Sequence, residues 1–216
     1  MASAPITTLT ARKVPRQARA TVTVDAVFEA AIQLLDGNSP VTMSTTQIAR
    51  RAGVSVGTIY QYFPNKQALF FALSASVLDG MASNVELVCR QHHGESLRVM
   101  TRGLVDGYWR AVTGQCANAR AVHKISIAVD TAPLIEAFSL RIEDAAAKMF
   151  ASAPNVSFPD LRMTTITLLT SLIGSIRTIF ERLLPKPWAC DFQEQIALMC
   201  EGYITATASH DLSKSS

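Results

Sequence analysis

The chain is poor in the residues from which reactive sites are usually built. Of its 216 residues four are cysteine and four histidine, and neither set forms a CxxC or a Cys/His cluster at metal-ligand spacing. Cys89, Cys116, Cys190 and Cys200 lie far apart and read as reduced thiols, not as a disulfide framework. There is no Glu-x-x-His pair of the kind that loads a metal into a helix bundle. His92 and His93 are adjacent and so diverge on a helix, as do Glu143 and Asp144. These gaps argue against an enzyme or a metal carrier, and no catalytic residue, metal ligand or cofactor is assigned.

Charge is scarce as well, at 17% of residues against 49% hydrophobic, so most of the chain must pack against itself or a partner. No window shows sustained alternation of period two, and we expect no strands. Long hydrophobic runs are also missing: residues 163–176, taken as the most apolar stretch, are interrupted by Thr and Ser and end at Arg177. That is too short and too polar for a membrane span. The opening MASAPITTLTARKVPRQ has no apolar signal core. A cytoplasmic protein with no membrane partner is expected.

What charge there is has been placed unevenly. The chain carries a net +3, but residues 1–66 hold seven Lys/Arg against three acids, an excess of +4, and the remainder holds 13 against 14. A basic excess confined to the N-terminal third points to a polyanionic partner for that part alone.

Helical periodicity begins after a basic arm at residues 1–18, taken as flexible. Val24, Val27, Phe28, Ala31, Ile32, Leu34 and Leu35 mark a helix over 20–36, stopped by Gly37-Asn38-Ser39-Pro40. A short second helix follows, capped by Ser44 or Thr45, with Ile48, Ala49 and Ala52 inward and Gly53 at its end, suited to a left-handed backbone. A long helix runs from Asn65 to about Arg90. Further helices are expected at 95–113, 116–129, 133–152, 159–184 and 190–208, divided by Gly and Pro. The domains expected are a helix-turn-helix at 19–66, a larger helical domain at 67–210 and a disordered tail at 211–216.

Residues 52–66, AGVSVGTIYQYFPNK, carry the strongest local pattern. Only Gly53, Val54 and Ser55 join the second helix to the third, which forces a steep crossing. Such a crossing needs a small residue where the helices touch (Ala49), glycine at the turn (Gly53) and a large apolar residue opposite (Ile59). At about 100° per residue, Ile59 and Phe63 share an inner face, Gly57, Thr58 and Gln61 lie opposite, and Tyr60 and Tyr62 flank them. A helix of ~10–12 Å diameter fits a DNA major groove ~12 Å wide, so the outer residues would meet base edges and the tyrosines the phosphate walls. Lys66 opposes the dipole of the helix it opens. A phosphate held by Lys66 and the free N–H groups there would remove the conflict.

The run TTQIARRAGVSVGTIYQYFPNKQAL, residues 45–69, resembles the DNA-binding signature of the TetR family of bacterial transcriptional regulators. The likeness lies in the Ile-Ala of the second helix, Ala-Gly-Val-Ser, Gly-Thr-Ile-Tyr, the Tyr-Phe pair and Asn-Lys before the long helix. Where the family commonly has histidine, this chain has Tyr62. The resemblance implies an all-α fold, with an N-terminal three-helix DNA-binding domain followed by a larger ligand-binding and dimerisation domain. It implies backbone contacts from Thr45, Thr58, Tyr60, Tyr62 and Lys66 to double-stranded DNA, with Thr46, Val56, Thr58 and Gln61 nearest the bases. Gly57 would let the backbone come close.

One short recognition helix usually works in a two-fold dimer on a palindromic operator, with half-sites ~34–36 Å apart. The helix at 159–184 has an apolar seam that runs from Ile166 to Leu183, and small residues on its other side at Thr167, Ser171, Gly174, Ser175 and Thr178. The last helix offers Phe192, Ile196, Met199 and Tyr203. In the resembled family the last two helices form a four-helix dimer interface, and these are the interface residues expected. For an unknown small-molecule effector, apolar or amphipathic, the candidate lining is Tyr108, Trp109, His123, Phe138 and Met163, of which the first three join an apolar body to a polar handle. The functional expectation is a homodimeric repressor released from its operator by such a ligand. The alternative is a DNA-binding regulator that senses no small molecule.

Overall fold

The computed structural model describes residues 18–114, 116–182 and 186–210. Within them the chain is almost wholly helical: α1 (Ala18–Gly37), α2 (Thr45–Ala52), α3 (Val56–Tyr62), α4 (Lys66–Gln91), α5 (Leu97–Gly114), α6 (Cys116–Ser126), α7 (Ala132–Ala151), α8 (Leu161–Arg182) and α9 (Lys186–Thr207). The basic arm expected at 1–18 lies outside the described residues except for Ala18, and the tail at 211–216 lies outside entirely.

Two departures from the sequence expectation are small and physical. β1 (Val156–Ser157) and β2 (Ser209–His210) pair antiparallel, Val156 opposite His210. Two residues are too few to show an alternating pattern, so the pairing left no trace in the sequence. The last helix starts earlier than its expected bound of 190, because α9 begins at Lys186 and takes Pro187 into its first turn, where a missing N–H costs nothing.

The described chain falls into two compact units: residues 18–78 with 116–135, and residues 79–114 with 136–182 and 186–210. The first is therefore larger than the helix-turn-helix expected from sequence, since it takes in the first half of α4 and all of α6. Its core is built by Val27, Ala31 and Leu35 from α1, Ile48 and Ala49 from α2, Ile59, then Phe63, Leu69, Phe70 and Leu73, closed by Ala121 and Ile125 of α6. Each such buried Leu, Ile or Phe contributes about 1.5–3 kcal/mol of apolar burial. The α6–α1 contact is also polar: Lys124 Nζ donates to the carbonyls of Leu35 (2.5 Å) and Asp36 (3.1 Å), and Arg120 pairs with the Asp36 carboxylate at 3.1 Å. α1 has no basic residue in its own last turn, so α6 supplies the cations that its C-terminal carbonyls favour.

In the second unit α9 packs on α5 and α8. Arg102 reaches both Glu194 (2.8 Å) and Glu201, and Gln193 donates to Asp106 at 2.7 Å. The Arg102 guanidinium holds the Glu194 carboxyl below the usual carboxylate range. Arg141 on α7 does the same for Glu86 on α4, bonding it at 2.9 Å and Asp79 at 2.6 Å. α5 meets the end of α4 closely: a Cβ on Gly107 would lie 2.5 Å from Val88 Cγ2, and one on Gly103 would overlap the His92 ring.

By length and composition α4 is apolar enough to cross a membrane, more so than residues 163–176. In the fold many of its apolar residues are core: Ala68, Leu69, Phe70 and Leu73 in the first unit, Ala82, Val85, Val88 and Cys89 in the second. Burial pushes the Cys89 thiol up to about 12 and that of Cys200 to about 11, so both stay protonated and unreactive at neutral pH.

Candidate nucleic-acid interface

α2 is fixed at both ends by its own sequence. Ser44 is the N-cap: its hydroxyl accepts from Gln47 N–H, and the Gln47 side chain accepts from Ser44 N–H at 2.8 Å, a reciprocal capping box. At the other end Gly53 takes φ 69° and ψ 26°, the left-handed region that favours glycine, and its N–H is donated to Ala49 and Arg50 carbonyls. The chain turns at once into α3, where Ser55 accepts from Thr58 N–H at 2.9 Å.

α3 then divides as the wheel requires. Ile59 and Phe63 are fully buried, and the Phe63 ring lies 5.8 Å from that of Phe28 on α1. Gly57 and Gln61, four residues apart, are exposed, as is Thr46 on α2. Tyr60 is 44% exposed, and its hydroxyl is 3.2 Å from that of Thr45, tying the two helices at their outer edge. Tyr62 is half-buried against the Phe63 ring, with centroids 6.3 Å apart, and Val56 is half-buried too. Thr58 does not face outward as freely as Gly57 and Gln61: it is half-buried, and its hydroxyl lies 2.8 Å from that of Ser55. Gly57 has no conformational need to be glycine. A Cβ there would meet only Ser55 Oγ, at 3.6 Å, an ordinary contact.

Lys66 departs from the expectation. Its ammonium faces inward and donates to the carbonyls of Pro40 (2.9 Å), Val41 (2.9 Å) and Met43 (2.8 Å), the turn before α2. An ammonium has three N–H groups, and all three are committed within the protein. Asn65 Oδ1 accepts from Ala68 N–H at 2.8 Å, so part of the α4 terminus is capped without a phosphate. No sequence signal marks this use of Lys66, because the three acceptors are backbone atoms more than twenty residues away.

The comparisons with known proteins bear on this region and on the fold. Residues 27–73 match the family model described as bacterial regulatory proteins, tetR family. Residues 27–73 carry the DNA-binding domain of that family. The match runs from Val27 in α1 to Leu73 in α4 and covers all of α2 and α3, the DNA-binding helix-turn-helix of that domain. No curated protein matches the chain in sequence. Solved structures share its fold at low identity. The fatty acid degradation regulator FadR from Bacillus halodurans superposes with a TM-score of 0.67 at 14% identity, covering 88% of this chain and 97% of that one. SmeT, the repressor of the Stenotrophomonas maltophilia multidrug efflux pump SmeDEF, gives 0.67 at 13% identity over 87% and 93%. A tetR-family transcriptional regulator from Streptomyces coelicolor gives 0.65 at 17% identity over 86% and 81%.

The residues expected to line an effector site fall in both units and differ in exposure. Tyr108 and Trp109 on α5 and Phe138 on α7 are buried in the second unit, and burial pushes the Tyr108 hydroxyl up to about 12. His123 is half-buried on α6 in the first unit. Met163 is 57% exposed, because α8 turns Thr164, Thr165 and Leu168 inward and leaves Met163 at its outer first turn; it lines no interior.

The interface candidates also divide. Ser171, Gly174 and Thr178 on α8 and Met199 on α9 take different degrees of exposure from their neighbours: Ser171, Thr178 and Met199 are exposed, while Thr167, Phe192 and Tyr203 are half-buried. Gly174 is exposed and Ser175 half-buried, and a Cβ on Gly174 would meet nothing within 4 Å. Ile196 is fully buried within its own unit, since α9 uses that face against neighbouring helices, and so is not a surface residue. The far end of the α8 seam, Phe180 and Leu183, lies outside the described side chains.

Proposed function

We propose that the protein is a homodimeric repressor that holds a palindromic operator and releases it when a small apolar or amphipathic ligand binds. The observation that carries the dimer is the outer surface of the last two helices. Leu198 and Met199 on α9 stay 48% and 45% exposed, and α8 presents Ser171, Gly174 and Thr178 beside its packed seam. Adjacent large apolar residues left in water, with small ones that allow close helix approach, suit a second copy of the same pair of helices. The operator role rests on Thr46, Gly57 and Gln61 facing outward between Tyr60 and Tyr62, and it gives Thr45, Thr58 and Val56 supporting places.

The ligand part has its support in the apolar, aromatic interior of the second unit around Tyr108, Trp109 and Phe138. Two proteins of the same fold are described as a regulator of fatty acid degradation and a repressor of a multidrug efflux pump, both consistent with apolar effectors. α4 contributes residues to both units, and α6 belongs to the first while joined at either end to helices of the second. A ligand that favours one arrangement of the second unit would thus bias the first through continuous chain.

The test has two stages. DNA enriched from a random pool by the wild-type chain is retained, and long-chain acyl compounds and hydrophobic cations are then screened for its release. Ser171→Arg with Met199→Asp should give a folded monomer by sedimentation with much weakened operator affinity. A variant that still sediments as a dimer would place the interface elsewhere, and operator binding that no small molecule reverses would favour the regulator without an effector.

A further inference from the structure

The connection between α1 and α2 is held from outside itself. Over residues 35–43 five backbone carbonyls meet two lysine ammonium groups: Leu35 and Asp36 meet Lys124, and Pro40, Val41 and Met43 meet Lys66. Ser39 gathers the donors of the same turn: its hydroxyl accepts from Val41 N–H at 3.2 Å, and its carbonyl from Met43 N–H and the Thr42 hydroxyl, each at 3.2 Å. The carbonyls are left to converge on one point, and Lys66 Nζ fills it. Two of its three bonds are partly buried, so these oxygens would be deprived of a charged donor without full access to water.

The residue after Met43 is Ser44, the N-cap of α2, and the next is Thr45, whose hydroxyl meets Tyr60 on α3. The lysine is thus two residues of chain from the outer edge of the helix-turn-helix. We propose that Lys66 is a positioning residue of the DNA-binding face. It fixes the turn at residues 40–43, and through it α2 and the Thr45–Tyr60 pair, and makes no phosphate contact. The proposal rests on the DNA-binding reading of α2 and α3.

Lys66→Met and Lys66→Arg distinguish a clamp from a phosphate ligand. A guanidinium keeps the charge, but its planar fork cannot set three N–H groups on three carbonyls that converge on one nitrogen. With a clamp, both variants should lose thermal stability and weaken operator binding about tenfold or more at every salt concentration. The slope of log K against log salt should stay as in wild type. Were Lys66 a phosphate ligand, Lys66→Met would instead make that slope shallower by about 0.9 for the one phosphate it no longer neutralises, stability would stay intact, and Lys66→Arg would keep its affinity; that result overturns the proposal.

If either variant fails to fold, the wild-type protein still decides. In an amine-selective proton–nitrogen spectrum, the Lys66 ammonium should show slowly exchanging protons in the free protein and keep its shift when selected DNA is added. A Lys66 signal broadened away by exchange in the free protein and appearing on DNA binding would refute the clamp. Should the wild type select no DNA at all, the interface reading falls, while the stability of the variants and the free-protein spectrum still judge the clamp.

Discussion

Gly57→Ala separates what the fold needs from what a ligand needs. Gly57 is the second residue of α3, in helical backbone, and an added Cβ would touch only Ser55 Oγ at 3.6 Å. Replacing glycine by alanine in a helix, where nothing clashes, stabilises by about 0.5–1 kcal/mol, largely by restricting the unfolded chain. For a chain of this size that raises the thermal midpoint by about 1–4 °C. If α3 lies in a major groove with Gly57 and Gln61 toward the bases, the same methyl stands between backbone and DNA. Moving the helix out by a methyl radius weakens several phosphate contacts together, and a fall in operator affinity of about tenfold, or 1.4 kcal/mol, is expected. The assay is denaturation of both proteins alongside operator titration at one salt concentration. A more stable protein that binds DNA more weakly is the expected outcome. Unchanged affinity would show that backbone 57 does not approach DNA, and reduced stability would show that the outward placement of this residue is wrong.

Two further substitutions address other parts. Gln61→Ala removes the longest outward polar side chain of α3 and should relax preference at one base position by about 1–3 kcal/mol in a binding-site selection; an unchanged profile would remove Gln61 from the reading set. Lys124→Met withdraws the cation from the Leu35 and Asp36 carbonyls and should destabilise the first unit by about 1 kcal/mol, read by urea denaturation. No change there would mean that Ala121, Ile125 and the Arg120–Asp36 pair hold α6 without help from Lys124.

Much of the fold is legible in the sequence because helix boundaries are local. Ser44, Gly53, Ser55 and Asn65 each act on atoms within a few residues, and the helices fall within a few residues of the spans expected. The inner and outer faces of α3 are legible for the same reason, since Ile59, Phe63, Gly57 and Gln61 obey the helical period. What stays hidden depends on contacts between distant segments. Lys66 resembles a phosphate ligand in sequence because its acceptors are backbone carbonyls of another turn, and carbonyl direction leaves no mark in sequence. The place of α6 in the first unit depends on Arg120 and Lys124 meeting the end of α1 more than eighty residues earlier. Met163 and Ile196 fall on the wrong side because periodicity tells which residues share a face, not which face meets a neighbour: α8 turns Met163 outward, and α9 turns Ile196 inward.

The central claim is that the outer face of α2 and α3 reads duplex DNA. Selection from a random double-stranded pool tests it most directly, followed by titration of the enriched sequence across a range of salt. The account predicts a two-fold symmetric site whose half-sites are about one helical turn, ~34–36 Å, apart. Binding should weaken steeply as salt rises. A pool that stays random after repeated rounds with folded protein would contradict it.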